Sequence, residues 1–177
     1  MTVTSKQLTH YCLGDPRNDA VLILHGLLGS TDNWRSLAKR YAEDFYVITV
    51  DARNHGNSFH HPSMSYEDMA SDVLALIQQL SLKAPMIIGH SMGGKTVMQL
   101  LSMAPETLSK AIIVDIAPIA YTHHHEPMLN FISTLNLSQF QTRSSLDSEL
   151  SKEINSPMVR NFVLKNIKRN ENGFYWQ

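Results

Sequence analysis

Cysteine is almost absent from this sequence, with Cys12 the single example among 177 residues. One cysteine cannot form an internal disulfide, which excludes a disulfide framework and favours a reducing compartment. The first residues also lack the apolar stretch and the small-residue cleavage site of a secretory signal. We therefore expect a cytoplasmic protein.

Long apolar runs and an excess of either charge are also absent. No apolar run approaches the roughly 20 residues that a membrane helix needs. The 15 basic and 16 acidic residues give a formal net charge of -1, so no general attraction to nucleic acid or to an anionic membrane is expected. With 43% hydrophobic residues, the chain can fill the core of one globular domain.

Four short apolar runs predict strands that are buried on both faces of a mostly parallel sheet. They occupy residues 21–24, 46–50, 86–88 and 111–114, and His10 lies on an earlier strand. Amphipathic patterns between these runs predict helices at residues 34–41, at residues 69–80 and from Ser91 to near Pro105. This alternation indicates an α/β fold with helices on both sides of the sheet.

The pattern changes after Pro118, where no further strand is predicted. Apolar positions instead predict three short helices, marked by Phe131, by Leu146 and Leu150, and by Val163. These helices either pack on the core or form a lid over a pocket. The sequence is therefore divided into a core, residues 1–118, and a helical segment, residues 119–177.

A G-x-S-x-G motif, formed by Gly89, Ser91 and Gly93, lies between a predicted strand and a predicted helix. This context is typical of a nucleophile elbow, a turn so tight that a side chain at either glycine would collide with a neighbouring element. The turn exposes the Ser91 hydroxyl, and the amide of Met92 begins the helix where it can bind an oxyanion. The alternative is a glycine-rich turn with an incidental serine.

An H-G-x-x-G motif at residues 25–29 follows the strand at residues 21–24. Such a loop can direct a backbone amide toward the same oxyanion, and Leu27 is the candidate donor. Taken alone, the motif is equally compatible with an ordinary turn at a strand end.

Together with the sequence D-A-R-N-H-G-N-S at residues 51–58, these motifs resemble the α/β-hydrolase superfamily, in the order that family has them. Asn54 stands where the family usually has glycine, and the resulting R-N-H-G sequence is similar to the small bacterial carboxylesterase and acyl-CoA thioesterase branch. Asparagine tolerates the same left-handed backbone. We assign this loop a structural role, as a turn braced by Asp51 and Arg53.

The resemblance implies a serine hydrolase that cleaves small carboxylic esters or acyl thioesters through an acyl-enzyme, without cofactor or metal. Relatives that open epoxides or remove halogens use aspartate at the elbow, which Ser91 excludes. A carbon-carbon bond hydrolase, a perhydrolase and a non-catalytic binding protein for a small ligand remain as alternatives. A strained, exposed serine argues against the last of these.

The resemblance also suggests the acid of the catalytic triad and a base outside this chain. Asp115 follows the strand at residues 111–114, where some relatives carry the acid; a simple Asx turn is the alternative. None of the nine histidines occupies the family position for the base. The three consecutive histidines, residues 123–125, are expected to be neither a metal cluster nor a substitute base.

The family comparison therefore implies that residues 1–118 hold the first six strands of the core and that residues 119–177 form its cap. The remaining strands and the catalytic histidine would come from a missing C-terminal segment or from a second chain.

Overall fold

The computed structural model describes residues 7–121 and 126–177. A five-stranded sheet organises the first part, in the spatial order β1-β3-β2-β4-β5. Its strands are β1 (His10–Leu13), β2 (Ala20–Leu24), β3 (Tyr46–Val50), β4 (Met86–His90) and β5 (Lys110–Val114). β1 is antiparallel to β3 and all other pairs are parallel, which confirms the predicted mostly parallel sheet. Five strands occur between residues 7 and 118, where we expected six in residues 1–118.

Three helices connect the parallel strands, as predicted. They are α1 (Arg35–Tyr41), α2 (Tyr66–Gln79) and α3 (Met92–Met103). α2 begins with a side-chain cap, because Ser65 Oγ accepts a hydrogen bond of 3.1 Å from the amide of Asp68. α3 ends before Pro105, which cannot donate the amide hydrogen bond of a helix interior.

The two faces of the sheet are covered by different helices. Leu22 and Leu24 of β2 pack in a cluster with residues of α2 and α3, whereas Val21 and Ile23 pack in a cluster with Ala38 of α1. Alternate residues of a strand point to opposite faces, so β2 must be apolar on both. Burying each such large side chain contributes about 1.5–3 kcal/mol to stability.

β5 does not match the prediction of a strand buried on both faces. It forms one edge of the sheet, and its residues Lys110, Ala111 and Ile112 are exposed, with Ile112 retaining 54% of its accessible surface. An apolar run alone cannot distinguish a central strand from an edge strand. β5 therefore presents an unpaired backbone edge within the described fold.

The chain divides into two compact units, Met1–Pro118 and Ile119–Gln177. The second contains the three predicted helices, α4 (Glu126–Thr134), α5 (Arg143–Leu150) and α6 (Pro157–Lys165). The expectation of no further strand is wrong, because β6 (Ile167–Asn170) and β7 (Gly173–Trp176) form an antiparallel hairpin. That the first unit is a hydrolase core and the second its cap stays a prediction.

The second unit has its own buried residues. Leu146 and Leu150 of α5, Val163 of α6 and Ile167 of β6 are all almost inaccessible. Arg143 donates to the carbonyl oxygens of Leu164 at 3.0 Å and Ile167 at 2.7 Å, which satisfies acceptors where α6 ends. No helix within residues 7–121 and 126–177 is long and apolar enough to cross a membrane.

Candidate active site

Ser91 joins β4 to α3 in a backbone conformation that side chains rarely adopt, with φ 51° and ψ -113°. Such a conformation costs about 1–3 kcal/mol and persists only where the surroundings enforce it. The amide of Ser91 donates to the carbonyl oxygen of Val114 on β5 at 3.0 Å, and the amide of Lys95 donates to the carbonyl oxygen of Ser91 at 3.1 Å. The elbow is thus held by the next strand and by the first turn of its own helix.

Two glycines make this turn sterically possible. A Cβ atom on Gly89 would lie 2.5 Å from the carbonyl oxygen of Gly93, and one on Gly93 would lie 2.6 Å from the carbonyl oxygen of Leu24. Backbone atoms cannot yield as the end of a flexible side chain can. The close approach of α3 to β2 and β4 therefore requires the glycines of the predicted elbow.

The glycine-rich loop after β2 lies against the serine. The amide of Gly29 donates to the carbonyl oxygen of Gly26 at 2.9 Å, closing a turn in which Leu28 has a left-handed φ of 59°. A Cβ atom on Gly26 would lie only 3.3 Å from Ser91 Cβ. The loop that carries Leu27 therefore reaches the predicted nucleophile.

The amides of Leu27 and Met92 are the two predicted oxyanion donors. Leu27 follows Gly26 directly, and Met92 is the first residue of α3. Within the described residues, neither amide donates a hydrogen bond to another residue. Two free backbone donors therefore belong to segments that adjoin Ser91, and their role stays a prediction.

Asp115 lies at the end of β5, one strand away from Ser91. β4 and β5 are parallel neighbours in which His90 pairs with Val114. Ser91 and Asp115 therefore both lie directly after the carboxyl ends of their strands, at the same end of the sheet. The Asp115 side chain is 84% exposed, and its Oδ2 lies 3.7 Å from Nε2 of His90. The Asp115 carboxylate is thus accessible at the end of the sheet where the elbow lies.

The loop at residues 51–58 has the bracing that we expected of Asp51. Asp51 Oδ1 accepts from the amide of Thr31 at 2.7 Å, and Oδ2 accepts from the amide of Asn57 at 3.0 Å. Gly56, with φ 54°, passes so close that a Cβ atom there would overlap the Asp51 carboxylate. This buried carboxylate is committed to holding the loop.

Arg53 and Asn54 fix the other side of the same loop. Arg53 makes a two-point contact with Asp72 of α2, at 2.6 Å from Nε and 2.8 Å from a terminal nitrogen. Asn54 has φ 63° and exchanges two hydrogen bonds with the backbone of His61, at 2.9 and 2.7 Å. The left-handed asparagine and the structural role of Arg53 are as predicted.

His25 and His55 form a buried pair that the sequence motifs do not reveal. Their ring centroids are 5.0 Å apart. Nε2 of His25 accepts from the amide of Ala52 at 3.0 Å, and Nε2 of His55 accepts from the amide of Leu28 at 3.1 Å. Burial lowers the pKa of His25 to about 4 and also lowers the pKa of His55. Both rings are therefore neutral at pH 7.

No histidine ring among residues 7–121 and 126–177 is hydrogen-bonded to Ser91. His25 and His55 use both ring nitrogens for other contacts. The histidines at 123–125 lie outside the described residues. The described part also lacks any group of three or more His, Cys, Asp or Glu side chains placed to hold a metal.

Comparison with known proteins gives a consistent family. A family model described as the alpha/beta hydrolase fold matches residues 19–170. The chain is 37% identical to mouse sn-1-specific diacylglycerol lipase ABHD11 over 172 residues, covering 93% of this chain and 56% of that protein. It is 36% identical to Esterase YbfF of Escherichia coli strain K12, covering 85% of this chain and 59% of that protein.

A solved structure titled "Marine microorganism esterase" is similar throughout. It superposes with a TM-score of 0.92 at 38% identity, covering 97% of this chain and 68% of that one. The chain spans little more than half the length of the curated relatives that it matches.

Proposed function

The chain belongs to the α/β-hydrolase fold family, and from that premise we propose that its protein is a serine hydrolase that cleaves carboxylic esters or acyl thioesters. Relatives named as an esterase and as a diacylglycerol lipase support ester hydrolysis. Ser91 is the proposed nucleophile. A full-length protein is proposed to supply the base.

The backbone of Ser91 is the observation that carries this proposal. A serine held at φ 51° and ψ -113° is strained, and strain of this kind recurs where function requires it. A protein that only bound a ligand would gain nothing from such a turn. Acyl transfer requires glycines on both sides of the serine and nearby backbone amides that, as here within the described part of the chain, have no other acceptor.

The proposed reaction proceeds in two halves. Ser91 Oγ attacks the acyl carbon while a histidine supplied from outside this chain accepts the hydroxyl proton, and the amides of Leu27 and Met92 stabilise the oxyanion. The histidine then protonates the departing alcohol or thiol. Water, deprotonated by the same histidine, cleaves the acyl-enzyme and regenerates Ser91. Asp115, at the same edge of the sheet, would orient that histidine.

Turnover of a short p-nitrophenyl ester by the full-length protein tests the role of Ser91. We expect Ser91→Ala to reduce turnover by several orders of magnitude, because removing a nucleophile leaves only the activity of the remaining site. The matched control is Ser102→Ala, an exposed serine on α3, which should match wild type. Retention of more than a few per cent of activity by Ser91→Ala contradicts the proposal.

A further inference from the structure

We propose that His25 and His55 are positioning residues that together aim the Leu27 amide at the reacting carbonyl oxygen. This inference rests on the proposed function, because it assumes that Leu27 binds the oxyanion. Each histidine fixes one of the two peptide units next to Leu27, and each does so through a different ring nitrogen.

His25 fixes the peptide unit between Gly26 and Leu27. Its Nε2 accepts from the amide of Ala52, so the ring proton lies on Nδ1 and is donated to the carbonyl oxygen of Gly26 at 2.8 Å. The same oxygen accepts from the amide of Gly29. In a trans peptide the N–H points opposite to the C=O, so holding this oxygen fixes the direction of the Leu27 N–H.

His55 fixes the next peptide unit. Its Nε2 accepts from the amide of Leu28 at 3.1 Å, and its Nδ1 donates to the carbonyl oxygen of Arg53 at 2.9 Å. Leu28 is left-handed, a conformation that leucine adopts only at a cost. The hydrogen bond that the Leu28 amide donates to His55 therefore holds Leu28 in the backbone state that the turn requires.

The contacts are reciprocal. His25 comes from the loop after β2 and binds the backbone at Ala52, whereas His55 comes from the loop at residues 51–58 and binds the backbone at Leu28. The second loop is itself anchored to α2 through Arg53 and Asp72. The loop that carries Leu27 is thereby connected to α2 through the loop at residues 51–58.

Both rings must be neutral for this arrangement. A proton on Nε2 would point at the backbone N–H group whose hydrogen bond that nitrogen now accepts. His25 is faced by Asp51, His55 and His90, and His55 is faced by Asp51 and His60. Asp51 favours the charged ring and the other histidines oppose it. Burial is the largest influence on both, and it favours the neutral form that the loop needs.

Substitution of each histidine by asparagine or glutamine tests the roles of its two ring nitrogens separately. Asparagine places a donor near the position of Nδ1, and glutamine places an acceptor near that of Nε2. In the full-length protein we expect His25→Ala and His55→Ala to lower kcat about 100-fold with KM little changed, as for the loss of one oxyanion donor. His25→Asn and His55→Gln should each recover at least tenfold over the alanine variant. His25→Gln and His55→Asn should not.

This crossed pattern distinguishes aiming from simple packing, which would rank the two amides in the same order at both positions. Controls at the exposed His60, to asparagine and to glutamine, should leave kcat unchanged. Should the alanine variants fail to fold, the four amide variants still decide. The same ranking at both positions, or wild-type kcat in the folded alanine variants, would overturn the proposal.

Hydrogen exchange separates this inference from the proposed function. It is measured in a Ser91→Ala background, where catalysis plays no part. We expect His55→Ala to accelerate exchange at the Leu28 amide at least tenfold and His55→Gln to restore protection. Unchanged exchange would overturn the positioning role. If Ser91→Ala keeps esterase activity and the exchange rates change as expected, the histidines hold the loop but Leu27 does not bind an oxyanion formed at Ser91. The proposed function, and with it the direction of the Leu27 amide toward a reacting oxygen, would then be wrong.

Discussion

Unfavourable backbone angles collect around the candidate site. Of the six non-glycine residues with positive φ in the described structure, Leu28, Asn54, Ser91 and Asp115 lie in its loops or at its strand ends. Each costs about 1–3 kcal/mol unless the surroundings compensate. The hydrogen bonds of His55 to Leu28 and of Asn54 to His61 are such compensation. Leu28, Asn54 and Ser91 are thus strained residues that specific hydrogen bonds hold in place.

Asp115→Asn is expected to lower kcat of the full-length protein by several orders of magnitude while leaving the fold intact. A carboxylate fixes the tautomer of the catalytic histidine, which an amide cannot do. The side chain is 84% exposed, so the substitution leaves no cavity. Kinetics of ester hydrolysis with circular dichroism check both parts, and Asp147→Asn on α5 is the control. Near-normal kcat would mean that Asp115 is only a turn residue.

The buried neutral state of His25 predicts a loss of stability in mild acid. Burial lowers its pKa from 6.5 to about 4, so between these values the unfolded chain binds a proton that the folded chain does not. The free energy of unfolding should therefore fall by roughly 3 kcal/mol as the pH drops through this window, and should be unaffected above it. Urea unfolding from pH 7.5 to 4.0 measures this loss.

The matched variants for that measurement are His25→Asn and His60→Asn. The first removes one of the two buried titrating rings and should make the decline with pH shallower. The second removes an exposed ring and should leave it unchanged. Parallel declines in wild type and His25→Asn would contradict the assignment.

What the sequence revealed about single residues depended on distance along the chain. The elbow was predictable because Gly89, Ser91 and Gly93 lie within five consecutive residues and both glycines have a steric reason. The His25–His55 pair was not, since the two residues are 30 positions apart and neither has a local pattern. Only the packing of two loops brings each Nε2 to the other loop's backbone.

The strand-turn-helix formed by β4, the elbow and α3 depends on close backbone packing. Gly93→Ala should lower the free energy of unfolding by about 1–3 kcal/mol, because its Cβ would lie 2.6 and 2.7 Å from the carbonyl oxygens of Leu24 and His25. In an open helix, glycine to alanine would instead stabilise by about 1 kcal/mol. Urea unfolding, with Ser102→Ala as control, distinguishes destabilisation by this clash from stabilisation by helix propensity. A stabilised Gly93→Ala would refute the packing argument.

The exposed edge of β5 predicts self-association of the chain when only residues 1–177 are produced. Ala111 and Ile112 are both exposed beside unpaired backbone groups, an arrangement that favours edge-to-edge pairing. Sedimentation velocity should show oligomers that Ile112→Lys reduces. Tyr11→Lys, on the opposite edge strand β1, is the control and should have a smaller effect. A monomer at all concentrations would contradict the expectation.

The hairpin of β6 and β7 shows where element prediction failed. Each strand has four residues, too few for a reliable alternating pattern. A usable signal was the glycine at residue 173, which has φ 112° and pairs with Asn170 directly after the turn at residues 171–172. The longer runs of β2, β3 and β4 were predictable because complete burial makes them apolar throughout.

For the whole molecule, the order of motifs along the chain carried more information than any single one. The three loops predicted from sequence follow β2, β3 and β4. They therefore all begin at the carboxyl ends of the parallel strands, where such folds bind ligands. The exposure of β5 and of Asp115 could not be predicted from the sequence. Both depend on whether another strand pairs with β5, and an apolar run does not show this. The base that the proposed mechanism assigns to Ser91 stays a prediction, because no histidine ring among residues 7–121 and 126–177 is hydrogen-bonded to that serine.

The most direct test of the account is covalent labelling of the full-length protein with a fluorophosphonate, followed by tryptic digestion and mass spectrometry. Trypsin releases residues 84–95, in which Ser91 is the only hydroxyl-bearing residue. We expect a stoichiometric adduct on this peptide, lost when an ester substrate competes and absent in Ser91→Ala. A folded, ester-hydrolysing protein with no adduct on this peptide would show that Ser91 is not the nucleophile.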